Sequence, residues 1–211
     1  MIFFWTMLYG LAHTLPRMYA HNAWATSISM SIYILLLILW LIRTGKAGYI
    51  RLQGLQSWNL PDFLPLLLLP VCNLPLVTFP PPTVVLLMVC VSVAEEILFR
   101  GVLLRFFQKR GNFQSILITA MIFALFHSVN LIYNNGLIPV LLQILCAAGA
   151  GFLYSAITLK CGSILPAMAG HILTNVTGIS SVATPLELLL CTAGCFLWGL
   201  WIYKSSNIQK T

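Results

Sequence analysis

Three short clusters place chemistry-bearing side chains in surroundings that carry almost no other charge: Glu95-Glu96-Ile-Leu-Phe-Arg100, Phe123-Ala-Leu-Phe-His127 and His171-Ile-Leu-Thr-Asn175. A carboxylate can take a proton from water, and an imidazole can share or relay that proton. Histidine and asparagine donors can hold the oxyanion of a tetrahedral intermediate. Together these residue types suit attack of an activated water on a carbonyl. The chain has no G-x-S-x-G elbow, no H-E-x-x-H and no C-x-x-C pair, so serine, zincin and dithiol chemistry lack their usual signatures.

The two glutamates are not equivalent. Glu96 precedes Arg100 by four residues, the favourable order for an acid–base pair on a helix, and the two are expected to form a structural ion pair. Glu95 projects about 100° away from Glu96 around the helix and needs a different partner. Phe123 and His127 share one helix face, as do His171 and Asn175. Counted at about 1.5 Å per residue from the basic ends of their segments, Glu95 lies ~15 Å deep, His127 ~22 Å, His171 ~14 Å and Asn175 ~20 Å. Ionisable groups in lipid are costly and mark function by default. Three segments that bring theirs to one depth are expected to share one site.

The elements that must position these groups follow from composition. Of 211 residues, 60% are apolar and 7% charged, with a mean hydropathy of +0.95; a soluble domain carries roughly 25% charged residues. The chain therefore belongs in a bilayer. The net charge of +7 arises from 11 Lys and Arg against four acids, Asp62, Glu95, Glu96 and Glu187. The basic residues sit between apolar runs and form no continuous patch, which argues against nucleic acid as a partner.

A helix needs about 20 apolar residues to cross a bilayer. Eight segments meet this: 1–19, 23–42, 62–79, 83–104, 113–134, 137–159, 163–183 and 185–203. The first is imperfect because of Pro16 and Arg17, and whether it spans is left open. It is read as a membrane segment rather than a secretory signal, since nothing basic precedes Arg17. The third is interrupted by Pro65, Pro70 and Pro75. Eight crossings put Arg43, Lys46, Arg51, Arg105, Lys109, Arg110, Lys160, Lys204 and Lys210 on one side. The opposite turns carry no Lys or Arg, so the positive-inside rule makes both termini cytoplasmic. The expected fold is all-α, a polytopic transmembrane helix bundle, with residues 1–211 as a single integral membrane domain and a motif-bearing catalytic core over about 83–183. Ala147-Ala148-Gly149-Ala150-Gly151 presents a small-residue face for close helix approach. The six cysteines read as packing residues. His13, His21, Gln143, Thr174, Thr177 and Glu187 receive no catalytic role.

The ordered trio E-E-x-x-x-R, F-x-x-x-H and H-x-x-x-N on successive hydrophobic segments resembles the CPBP family, the CAAX proteases and bacteriocin-processing enzymes also called Abi proteins. The resemblance implies a glutamic-type intramembrane endopeptidase. By that likeness Glu95 is the general base, His127 its partner in activating water, and His171 with Asn175 the oxyanion site. Glu96, Arg100 and Phe123 support the geometry. No cofactor is implied. The partners implied are the lipid bilayer and a membrane-associated peptide or protein substrate, lipidated or not, and the location is a bacterial inner membrane. Two alternatives stay open. One is a zinc-dependent protease with Glu95, His127 and His171 as ligands. The other is a non-enzymatic bacteriocin-immunity or peptide-binding membrane protein. The oligomeric state is unknown.

Overall fold

In the computed structural model, residues 1–19, 22–50, 64–67, 70, 80–133, 136–178 and 184–205 are described. Every regular element among them is helical, in the order α1 (Ile2–Tyr19), α2 (Ala23–Arg43), α3 (Pro82–Arg110), α4 (Asn112–Tyr133), α5 (Leu137–Cys161), α6 (Leu165–Gly178) and α7 (Pro185–Ser205). Five of these helices, α2, α3, α4, α5 and α7, are long and apolar enough to cross a membrane. Of the expected segment 163–183, Leu165–Gly178 forms α6, and 179–183 lie outside the described residues. Most of the expected segment 62–79 lies outside the described residues; Leu64–Leu67 forms one turn of 3-10 helix that packs against α6.

Local sequence explains where the helices begin and end. The Asn22 side chain accepts the Trp24 backbone N–H at 2.8 Å and starts α2, satisfying one of the orphan donors of a first turn. Proline at the first position starts α3, where its missing N–H costs nothing. Gly162, with φ +67°, ends α5 in the left-handed conformation, which only glycine adopts without strain. On α2, Met30, Tyr33, Leu37 and Leu41 form the buried stripe, while Ile28, Ile32, Leu35, Leu39 and Ile42 are exposed. Large aliphatic side chains on the outside and the same kind inside are what a lipid solvent allows, and this is the pattern of an integral, multi-pass membrane protein.

α3 is the central element. It packs against α2 on one side and α6 on the other. From Ala94 to Leu104 every residue is buried, so this helix has no lipid face over that stretch. Within it, Ile97–Leu103 widens into π-helical turns, a departure common at functional sites. One core cluster gathers Tyr9, Tyr33, Phe99 and Phe123 from α1 to α4; a second gathers Ile116, Phe152, Leu153 and Cys195 from α4, α5 and α7. The small-residue face of α5 mediates close approach as expected. A Cβ at Gly149 would lie 2.8 Å from the Thr192 carbonyl oxygen of α7, and one at Gly151 would lie 3.1 Å from Phe123 Cδ1 of α4.

Candidate active site

Glu95 and Glu96 end the regular part of α3, and their side chains part company there. Glu96 is fully buried and pairs with Arg100, Oε1 to NH1, at 2.8 Å. Arg100 is itself fully buried; its guanidinium lies 4.4 Å from the Phe123 ring centroid and 5.5 Å from that of Tyr154. A buried cation between two aromatic faces and one carboxylate is stabilised by both the ion pair and the ring quadrupoles. The expected structural ion pair is therefore present.

His171 of α6 joins the two glutamates. Its Nδ1 lies 2.8 Å from Glu96 Oε1, and because a carboxylate oxygen already shared with Arg100 can only accept, Nδ1 carries the hydrogen. Its Nε2 lies 3.3 Å from Glu95 Oε2. The other oxygen of Glu95, Oε1, accepts a hydrogen bond from the Tyr9 hydroxyl of α1. The result is one continuous buried chain, Arg100–Glu96–His171–Glu95–Tyr9, drawn from three helices. At its Arg100 end the guanidinium nitrogens and Glu96 Oε2 make no hydrogen bond among the described residues, so the ion pair and the flanking aromatic rings hold the cation there.

On the other side of Glu95 is a cavity of about 740 Å³, whose walls include Glu95, His127, Asn175, Tyr9 and His13. His127 Nδ1 lies 3.1 Å from the Phe123 carbonyl oxygen. That oxygen accepts, so Nδ1 is the protonated nitrogen, and in the neutral ring Nε2 is left as a proton acceptor. Asn175 Nδ2 donates to Ser92 Oγ at 3.0 Å, which uses one of its two hydrogens. Phe123 is the shared wall: its ring is 5.1 Å from His127 and 5.6 Å from His171, edge-on to both.

The six charged, histidine and asparagine residues read from the sequence thus fall into two groups. Glu95, His127 and Asn175 line the cavity; Glu96, Arg100 and His171 lie behind it, with His171 reaching forward to Glu95. The family likeness paired His171 with Asn175, whereas here both ring nitrogens of His171 face carboxylates. Sequence reasoning missed Tyr9, which looks like any aromatic residue on an apolar helix, and Ser92, whose position three residues before Glu95 was the available signal. It also set aside His13, which lines the cavity and stacks on Tyr9 at 6.1 Å. Among the described residues no three His, Cys, Asp or Glu side chains converge as metal ligands would.

Residues 77–177 match the model of a protein family described as Rce1-like, type II CAAX prenyl endopeptidase. The match covers just under half of the 211 residues and includes all three motif clusters, so the resemblance seen in the sequence is borne out over that stretch. No curated protein matches the chain.

Proposed function

From a membrane protein with an Rce1-like, CAAX-protease-type segment, we propose that the chain hydrolyses a peptide bond of a membrane-associated peptide or protein, with Glu95 as general base. The observation that carries this reading is the contrast between neighbours. Glu95 is the carboxylate that faces the cavity, while Glu96 is buried away from it with Oε1 shared between Arg100 and His171. A water bound between Glu95 and His127 Nε2 gives up a proton as its oxygen bonds to the scissile carbonyl carbon. The C–N bond then breaks, and the same proton passes from the glutamic acid to the leaving amine. The second Asn175 Nδ2 hydrogen, not taken by Ser92, is available to the oxyanion.

His171 serves in this scheme as the group that orients Glu95 and shares its proton, held by Glu96 through Nδ1. Tyr9 fixes the opposite oxygen. In this reading the chain crosses the membrane eight times with both termini cytoplasmic, supported by the one-sided distribution of Lys and Arg. In this reading Glu95 and His127 activate the water without a metal.

The deciding experiment is mass spectrometry of candidate membrane peptides incubated with the wild type and with Glu95→Gln. Cleavage by the wild type that vanishes in the variant supports hydrolysis. Peptide binding or protection that persists unchanged in Glu95→Gln, with no cleavage by either protein, favours the non-enzymatic alternative and overturns the proposal.

A further inference from the structure

The direction in which the cavity opens can be followed residue by residue. Its floor is Glu95, 7% exposed, and its rim includes Arg17, Ser128 and Gln143, all exposed. From Glu95 onward along α3, toward Arg105 and Lys109, the way is filled. Leu98, Phe99, Arg100, Val102, Leu103 and Leu104 are each at most 1% exposed. Among the described residues the site is open at one end and plugged at the other.

Which end is which follows from the helices that form the walls. The lining residues of α1 run from its middle toward its C-terminal end, Tyr9 to Arg17, and those of α3 lie in its first half, Met88 to Glu95. α4 contributes its second half, from Ile122 to Ile132, α5 contributes Gln143 near its start, and α6 contributes Asn175 near Gly178. All lie on the side away from Arg43, Lys46, Arg105, Lys109, Arg110, Lys160 and Lys204. The pairing of the helix ends agrees. Met1 and Phe3 share a hollow with Lys46 and Tyr49, whereas Arg17 stacks 4.2 Å over Tyr133 at the far end of α4. Two smaller hollows, of about 350 and 470 Å³, include none of Glu95, His127 and Asn175 in their walls.

Resting on the hydrolase reading above, we propose that this site is entered from the non-cytoplasmic face, so that its substrate is an extended peptide already exported or exposed outside the membrane. Basic residues mark the cytoplasmic side, and the plugged end of the cavity points to that side. Only Arg17 and Glu95 among the lining residues carry charge. With the cation at the rim and the acid at the floor, a peptide bearing a carboxylate at its leading end meets attraction at the entrance.

The test is cysteine accessibility in sealed, right-side-out vesicles from cells expressing the full chain, with a membrane-impermeant maleimide as probe. The native thiols of the wild type give the background. Ser128→Cys and Ile132→Cys report the rim, and Lys109→Cys reports the basic end. The proposal expects Ser128→Cys or Ile132→Cys to label as fully before permeabilisation as after, and Lys109→Cys to stay unlabelled until the membrane is opened. Any other pattern overturns it, including labelling of both ends in sealed vesicles or silence at both rim positions. The readout is independent of turnover. Loss of peptide cleavage as the measured activity with the labelling pattern intact sinks the hydrolase and leaves the outward opening. The reverse pattern of labelling with cleavage intact does the opposite.

Discussion

The two sides of α3 at residues 95 and 96 differ in kind. One side is a filled network in which Glu96 Oε1 is shared between Arg100 and His171 and the guanidinium rests between two aromatic rings. The other is a roomy cavity in which Glu95, His127 and Asn175 keep unspent hydrogen-bonding capacity. The first arrangement holds its charges by ion pairing and ring contact away from the cavity; the second leaves His127 Nε2 and one Asn175 hydrogen turned to open space, which a substrate and a water can complete. One peptide unit separates a structural carboxylate from a chemical one, and the angular step of the helix, about 100° per residue, is what assigns them.

The contrast can be broken most severely at Glu95. Glu95→Gln should lower turnover by about 10³- to 10⁴-fold while the protein's melting temperature in detergent stays near that of the wild type; a large loss of stability would place Glu95 on the structural side instead. Arg100→Met tests the filled side. It leaves Glu96 buried without its cation and should cost about 3–5 kcal/mol of stability, read as a lowered melting temperature and reduced protein in the membrane. A stability unchanged within error would refute the network's structural role. His127→Gln should reduce kcat by about 10²-fold with little thermal effect, in contrast to His171→Gln, which should lose both activity and stability because His171 belongs to both sides. Smallest is Tyr9→Phe. Removing one hydrogen bond to Glu95 is worth about 1 kcal/mol, so kcat should fall by about fivefold with KM unchanged. An unaltered kcat would detach α1 from the site.

Much of this was legible beforehand, for a physical reason. Ionisable side chains in a lipid-facing sequence are conspicuous, and the helical angle alone separated Glu95 from Glu96 and joined Glu96 to Arg100. The all-helical, multi-pass character followed from 7% charged residues. What the sequence could not display were contacts between helices whose side chains look ordinary. Tyr9 has no feature that distinguishes it from other aromatic residues of α1, yet its hydroxyl reaches Glu95. The bridging position of His171 depends on the tilt of α6 against α3, which no spacing rule encodes. The widened turns at Ile97–Leu103 carry no proline either, and Arg100 within them reads from its spacing as an ordinary helical partner of Glu96. In their case only packing on all sides, with no lipid-facing stripe to maintain, removes the usual demand for a regular helical phase.

Phe123 sits edge-on to both histidines and face-on to Arg100, so the spacing among those three groups is held by a ring rather than by a bond. Behind that ring stands Gly151, where an added methyl would come within 3.1 Å of Phe123 Cδ1 and 3.2 Å of Ala120 Cα. A random-mutagenesis screen for altered turnover should therefore recover position 151, on a helix that carries none of the three signatures.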